Sequence, residues 1–331
     1  MLYDYLQDKK IKHYPDLYYP TTIFCLDNDP LFLDAFYMAM GNYFPIVLSS
    51  DPEKSIAYLE EYYKNFQNYV SSVDDTELDY TTEFIYKIDA LTYLSAMKRE
   101  RYCLPTIIFI DYMMEAMMGD EVALLLKDLP IKKVLLTGHY DTAMAIQLLN
   151  DKIIDSYINK EELLQPKKLK KLCAFLQLDF FLEQHGYLYE QVSKIISNSD
   201  TMRDFIINNR IVEFYHLDDK GSCLFFNDQD SAFLKIILDI EELDLADENI
   251  RQYQSQQSNS LEKIDVPLLY WPASERLFNG DEKELSRRIE FRRIGETNLV
   301  EAAYELPVQE LLFDQLPGFS QYYRANRLTK L

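Results

Sequence analysis

The sequence predicts an α/β protein: a doubly wound five-stranded parallel sheet, then an α+β half holding a small antiparallel sheet. Three observations lead there. Short apolar runs alternate five times with segments of helical periodicity, the pattern of parallel strands joined by right-handed helical crossovers. The chain has 331 residues, enough for a substantial core and for two domains. Two alternating runs flank Asp218-Asp219-Lys220-Gly221, a hairpin signal that belongs to antiparallel pairing.

The elements of the first half follow in order. Residues 1–21 read as a tyrosine-rich N-terminal arm or short helix. Thr22–Leu26 is an apolar strand that stops at Asp27-Asn28-Asp29, and Leu31–Tyr43 is a helix with Pro30 in its first turn. Pro45–Ser49 is a second strand, and Asp51 opens a helix through Tyr62 or beyond. Residues 66–86 are polar and acidic and read as an inserted loop before a helix near Ile88–Arg101. Thr106–Asp111 is a buried strand, too short for a helix and rich in β-branched residues. A helix over Asp120–Leu129, a strand over Ile131–Thr137, a helix over Thr142–Asn150 and a strand over Ile154–Lys160 complete the set.

Composition narrows the class. Hydrophobic residues at 48% exclude disorder as the main state, and only 8 Gly and 12 Pro argue for long regular elements. No run is long enough to span a bilayer, and Met1–Lys10 lacks the apolar core of a signal peptide, so a cytoplasmic protein is expected. Cys25, Cys103, Cys173 and Cys223 are scattered, without zinc spacing, and read as free thiols. A net charge of −21 argues against a nucleic-acid partner, because affinity for a polyanion grows with displaced counterions. The two basic clusters, Lys167–Lys171 and Arg287–Arg293, have the spacing of solvated helix faces.

Chemistry concentrates at the strand ends. In an open parallel sheet, ligands sit beyond the carboxyl ends of the strands. Asp27, Asn28 and Asp29, then Asp111, Thr137 and Lys160 all stand at such ends. Taken alone, Asp111 is as consistent with a helix cap. Taken together, carboxylates this close need a lysine or a divalent cation to offset their charge, and oxygen-only ligands favour Mg²⁺. A carboxylate beside Mg²⁺ and a lysine can attack phosphorus to form an aspartyl phosphate.

In these residues the segment 22–165 resembles the receiver domain of a bacterial two-component response regulator, which has a flavodoxin-like fold. The resemblance implies that Asp111 is the phosphoacceptor, Thr137 the switch hydroxyl, Lys160 the invariant lysine and Tyr157 the aromatic that moves on phosphorylation. Met114 and Gly119 match the loop that follows the phosphoacceptor, and Asp27 the first member of the acidic pair. It further implies Mg²⁺ held by Asp27, Asn28, Asp111 and the backbone carbonyl of Met113. The implied partners are a sensor histidine kinase or phosphotransfer protein and a second copy of the chain, and the implied role is that of a phosphoacceptor signalling protein, not an enzyme. Three departures stand out. Asn28 replaces the main metal-ligating acid, Glu115 replaces a proline, and the stretch from Asp27 to Asp111 is longer than usual.

The second half begins with a helical connector, residues 166–210, with helices over Pro166–His185, Tyr187–Asn198 and Thr201–Asn208. Its long first helix carries an apolar stripe that needs a cover, either the second half or another copy of the chain. Residues 211–331 form the α+β output region. A third strand over Phe233–Ile240 and a short one over Val266–Pro272 are expected. Helices are expected over Glu241–Gln257, Asp281–Arg293, Asn298–Glu305 and Gln309–Leu316. His216 reads as packed or paired within its strand. The layout resembles the output region of quorum-sensing-linked response regulators. Two other functions compete: a DNA-binding regulator using the basic clusters, and an output enzyme acting on a nucleotide through Asp218, Asp219 and Asp228. Turn chemistry explains those three acids better.

Overall fold

Every residue of β4 (Pro105–Asp111) is buried, because a strand at the centre of a parallel sheet is covered on both faces. The computed structural model describes residues 1–11, 13–73, 100–138, 142–185, 201–218, 220–239, 263–267, 288–293, 299–306, 319, 322 and 328–331. Within them β4 lies between β2 (Thr22–Leu26) and β5 (Lys132–Thr137); β3 (Ile46–Ser49) flanks β2 and β6 (Ser156–Asn159) flanks β5. All of these pairs are parallel.

The two-residue period of the strands sorts their side chains between two apolar layers. Ile23, Cys25, Ile107, Phe109, Val134 and Leu136 face α2 (Pro30–Met40) and α6 (Pro166–His185), packing with Phe36, Met40, Leu169, Cys173 and Leu176. Phe24, Leu26, Ile108, Ile110 and Leu135 take the other face. There they join Leu59, Tyr63 and Phe66 of α3 (Pro52–Val73), Val122 and Ala123 of α4 (Gly119–Leu125), and Ala145 and Leu148 of α5 (Thr142–Asn150). The chain order β3-β2-β4 reverses direction at β2, and the crevice beside that reversal is where doubly wound sheets bind ligands.

The sheet has six strands, one more than expected. The added strand, β13 (Leu328–Lys330), runs parallel to β3 on its open edge, and Leu331 N–H donates to the carbonyl of Leu48 at 2.9 Å. A strand of three residues has no alternation to read, so only the partner edge reveals it. The antiparallel sheet is also larger than a meander. It has seven strands in the order β1-β7-β8-β9-β12-β11-β10: β1 (Leu17–Tyr18), β7 (Ile211–His216), β8 (Cys223–Asn227), β9 (Ala232–Asp239), β10 (Lys263–Pro267), β11 (Arg288–Arg293) and β12 (Leu299–Leu306).

Two expected helices are strands here. In β11, Ile289 and Phe291 are buried while Glu290 and Arg292 are exposed, a period of two that the abundance of charge concealed. In β12, helix formers such as Ala302, Ala303 and Glu305 are overridden by eight consecutive pairings with β9. The helix α3 runs through Val73, so the start of the expected loop at 66–86 is helical; residues 74–86 lie outside the described residues. The expected helices at Ile88–Arg101, Tyr187–Asn198, Glu241–Gln257 and Gln309–Leu316 fall largely or wholly outside them as well, and Glu100–Cys103 forms a 3₁₀ turn.

The N-terminal arm holds the expected short helix. That helix, α1 (Leu2–Asp8), buries Leu2 and Leu6, and β1 pairs antiparallel with β7. Both faces of α6 are covered within the chain: one by the parallel sheet, the other through Leu178, Phe180 and Phe181 by the core that carries the second sheet. The Lys132 ammonium fastens that helix to β5 by pairing with Asp179 at 2.6 Å and Glu183 at 2.7 Å. A further helix, α7 (Thr201–Asn208), lies on the second sheet, where Phe205 packs against Phe225 and Phe233.

Candidate functional site

The registers of the parallel sheet bring the four predicted strand-end groups into one row. Leu26 lies opposite Ile110, Asp111 opposite Leu136, and Thr137 opposite Asn159. Asp27, Asp111, Thr137 and Lys160 therefore sit at, or one residue beyond, the carboxyl ends of adjacent strands.

The lysine draws the acids together. Its Nζ lies 2.7 Å from Asp27 Oδ2 and 2.8 Å from Asp111 Oδ1. The Asp27 side chain is fully buried and that of Asp111 is 5% exposed, whereas Lys160 retains 29% exposure and reaches in from the rim. Burial raises the Asp27 carboxyl above its ordinary range, against the pull of Lys160 and of the Asp29 N–H. Burial also disfavours the Lys160 ammonium, but its ion pairs with Asp111 and Asp27 outweigh that and raise it.

The loop after Asp111 is held by backbone and core contacts. Tyr112 N–H donates to the carbonyl of Leu136, and Gly119 N–H donates back to Tyr112. Met114 plugs into the core, leaving Met113 and Glu115 exposed. Gly119 is required by close approach: a Cβ there would stand 2.3 Å from the Asp111 carbonyl oxygen. That contact fixes the backbone from which the Asp111 carboxylate projects.

The other expected residues are placed as follows. Thr137 is buried at the end of β5, next along the strand to the residue opposite Asp111. Tyr157 is half-buried on the edge strand β6 and packs against the larger core. Asn28 is exposed on the loop after β2. Asp29 caps α2, accepting from Leu31 N–H at 2.9 Å, and is thereby committed to the helix.

The donor set suits a hard cation. Asp27 Oδ2 is a buried acid oxygen beside the notch, paired there with the Lys160 ammonium. Two carboxylates against one ammonium leave one net negative charge. Among the described residues no three His, Cys, Asp or Glu side chains cluster to hold a metal ion. An ion here would rely on two carboxylates, a carbonyl and water, a set that fits Mg²⁺ better than zinc.

Among the described residues the rival sites do not assemble. Asp218 caps its own turn, accepting from the N–H groups of Lys220 and Ser222, and Asp228 pairs with Arg210 at 2.5 Å at the opposite end of β8. Asp219 lies outside the described residues. In the first basic cluster Lys168 pairs with Glu162, Lys171 pairs with Asp8, and Lys170 lies over the Tyr43 ring. In the second, Arg292 pairs across strands with Glu301. His216 is buried against Cys223, its Nδ1 2.9 Å from the sulfur, and burial pulls its pKa down to about 3.

No protein-family model matches the sequence, and no curated protein does. Solved structures do. The Legionella pneumophila response regulator LqsR superposes with a TM-score of 0.62 at 18% identity, over 94% of this chain and 96% of that one. The chain shares the fold of that solved structure. The similarity to LqsR spans both sheets, so the shared fold includes the antiparallel half as well as the parallel one. A CheY-like response regulator receiver domain from Methanospirillum hungatei JF-1 also matches. Its TM-score is 0.30 at 15% identity, with 48% of this chain and 98% of that chain covered. Among the described residues no helix is long and apolar enough to cross a membrane.

Sequence reasoning missed a structural link of the fold. Arg101 and Glu213 form a buried link between the two halves, and neither residue carries a motif that could have announced it.

Proposed function

We propose that this chain is a cytoplasmic signalling protein that accepts a phosphoryl group on Asp111 from a histidine kinase or phosphotransfer protein. The observation that carries the reading is the ammonium of Lys160 within 2.8 Å of the Asp111 carboxylate at the mouth of the sheet.

An Asp111 oxygen forms the new O–P bond as the P–N bond of a phosphohistidine breaks, and the histidine leaves as neutral imidazole once protonated. Lys160 transfers one of its ion pairs from Asp111 to a phosphoryl oxygen and keeps Asp27 as its other anchor. The Thr137 hydroxyl donates to a second oxygen, and its movement frees space for Tyr157. Asp27, Asp111 and the Met113 carbonyl would hold Mg²⁺, with the Asn28 amide in place of an acid. The ion supplies charge neutralisation on the transferring group when bound. Gly119 and Met114 keep the loop from yielding as charge builds.

Dimerisation is the favoured consequence. The buried Arg101–Glu213 pair and the shared core hold the antiparallel half against the receiver-like half, which weighs against its release as a unit. Met144, Ile146 and Leu149 of α5 are exposed beside β6 and offer an apolar face to a second copy.

The test is incubation with acetyl phosphate and Mg²⁺ followed by intact-mass measurement. The parent chain gains one phosphoryl group and Asp111→Asn gains none. Equal uptake by both, or none by the parent, rejects the proposal.

A further inference from the structure

The antiparallel sheet carries a cavity of about 360 Å³ on the face that bears α7, far along the chain from the acid row. We propose that this cavity binds a small monocarboxylate with an apolar body, with Lys235 and Arg292 as its anion-recognising cations and Phe205 as its apolar wall.

Register builds the polar end. Arg292 of β11 lies directly opposite Glu301 of β12, and Lys235 of β9 lies opposite Ala303, one step diagonal to Glu301 on the same face. Lys235 Nζ lies 2.8 Å from Glu301 Oε2, and an Arg292 terminal nitrogen lies 3.2 Å from Oε1. One carboxylate is thus shared by two cations. Glu290 also lines the cavity, so the described lining balances two acids against two cations.

The two cations differ in a way that suits a ligand. The Lys235 side chain is only 10% exposed, yet Glu301 takes one of its three N–H donors. A buried ammonium gains from further acceptors, because each unmet donor in a poorly hydrated site carries a desolvation cost. Arg292 is 73% exposed at the rim, with a planar fork of donors that matches a carboxylate in bidentate fashion. A lining without excess positive charge disfavours a dianion more than a monoanion.

The apolar end comes from α7. Phe205 lines the cavity while its ring is braced by Phe225 at 4.8 Å and Phe233 at 6.1 Å between centroids. Ala302 and Ala303 add no bulk. The volume stands at the small end of the range for ligand pockets, enough for a ring and a carboxylate. Occupancy would be felt beyond the sheet, because Arg203, two residues from Phe205, donates to the carbonyls of Leu6 and Gln7 at the end of α1.

The experiment is isothermal titration of the full chain with benzoate at low ionic strength, with benzamide and inorganic phosphate as comparison probes. Benzoate should bind saturably and benzamide should not. Arg292→Gln, at an exposed position that leaves the core intact, should weaken benzoate at least about tenfold, and Lys235→Met should abolish it. Circular dichroism confirms that each variant is folded. Four results overturn the proposal: no benzoate binding by the parent chain, binding unchanged in Arg292→Gln, equal binding of benzamide, or phosphate binding more tightly than benzoate. Phosphoryl uptake at Asp111 is not needed for any of these readings.

Discussion

Arg101 Nε donates to Glu213 Oε1 at 2.8 Å with both side chains fully buried, joining the turn before β4 to β7 across 112 positions of sequence. The hydroxyls of Tyr102 and Tyr215 donate to the same carboxylate, at 2.5 and 2.6 Å. The pair ties the strand that ends in Asp111 to the antiparallel sheet. A buried ion pair stripped of one partner leaves an uncompensated charge, and the cost is roughly 3–5 kcal/mol. Arg101→Met should lower the unfolding free energy read from urea titration by that order, and Arg101→Met with Glu213→Leu should recover part of it. A single variant as stable as the parent chain would show that the link contributes little.

Lys160→Met should accept phosphate from acetyl phosphate at least about tenfold more slowly than the parent chain, because the charge on the transferring group loses its fixed cation. The variant should stay folded, since Lys160 lies at the rim with 29% exposure. Rates within twofold of the parent would remove the lysine from the mechanism.

Gly119→Ala places a Cβ where the Asp111 carbonyl oxygen now stands, so the loop or α4 must shift. A loss of about 1–3 kcal/mol is expected, with reduced phosphoryl uptake. Gly138→Ala meets open space and should change stability by less than about 0.5 kcal/mol. Thermal denaturation of the two variants side by side checks the contrast.

Asp16 and His216 give opposite pH dependences. Burial raises Asp16 to about 6 and lowers His216 to about 3, and the His216 N–H donates to the Asp16 carbonyl. Between about pH 4 and 6 folded Asp16 keeps a proton that the unfolded chain has lost, so its contribution falls as pH rises. In the same window folded His216 lacks a proton that the unfolded chain holds, so its contribution rises with pH. The two slopes oppose each other at up to about 1.4 kcal/mol per pH unit. Relative to the parent chain, Asp16→Asn should make stability climb more steeply from pH 4 to 6, and His216→Gln should tilt it the other way. Urea titrations at pH 4, 5 and 6 read both slopes; parallel curves for all three proteins would refute the assignment.

The acid row was legible because each member ends a strand whose own residues announce it. Ile107–Ile110 is a run of buried apolar residues stopped by Asp111, and Val134–Leu136 is stopped by Thr137 in the same manner. Strand identity and polarity sufficed to place these groups on one edge. The metal-ligand set was less legible, since Asp29 reads as a third acid of the notch and proves to be a helix cap. In the second half, Arg288–Arg293 and Leu299–Leu306 mix charge and helix formers with short alternation, so local preference pointed away from the sheet that they join.

Local pattern alone determined the parallel strands, the helices between them and the strand-end residues Asp27, Asp111, Thr137 and Lys160, because burial on a sheet face imposes a period that the sequence must carry. Only the tertiary structure decided that Leu17–Tyr18 pairs with β7, that Leu328–Lys330 closes the edge beside β3, and that Lys235, Arg292 and Glu301 meet around one cavity. Such pairings depend on which open edge and which register a distant segment finds, and that choice leaves no mark on the residues nearby in the chain.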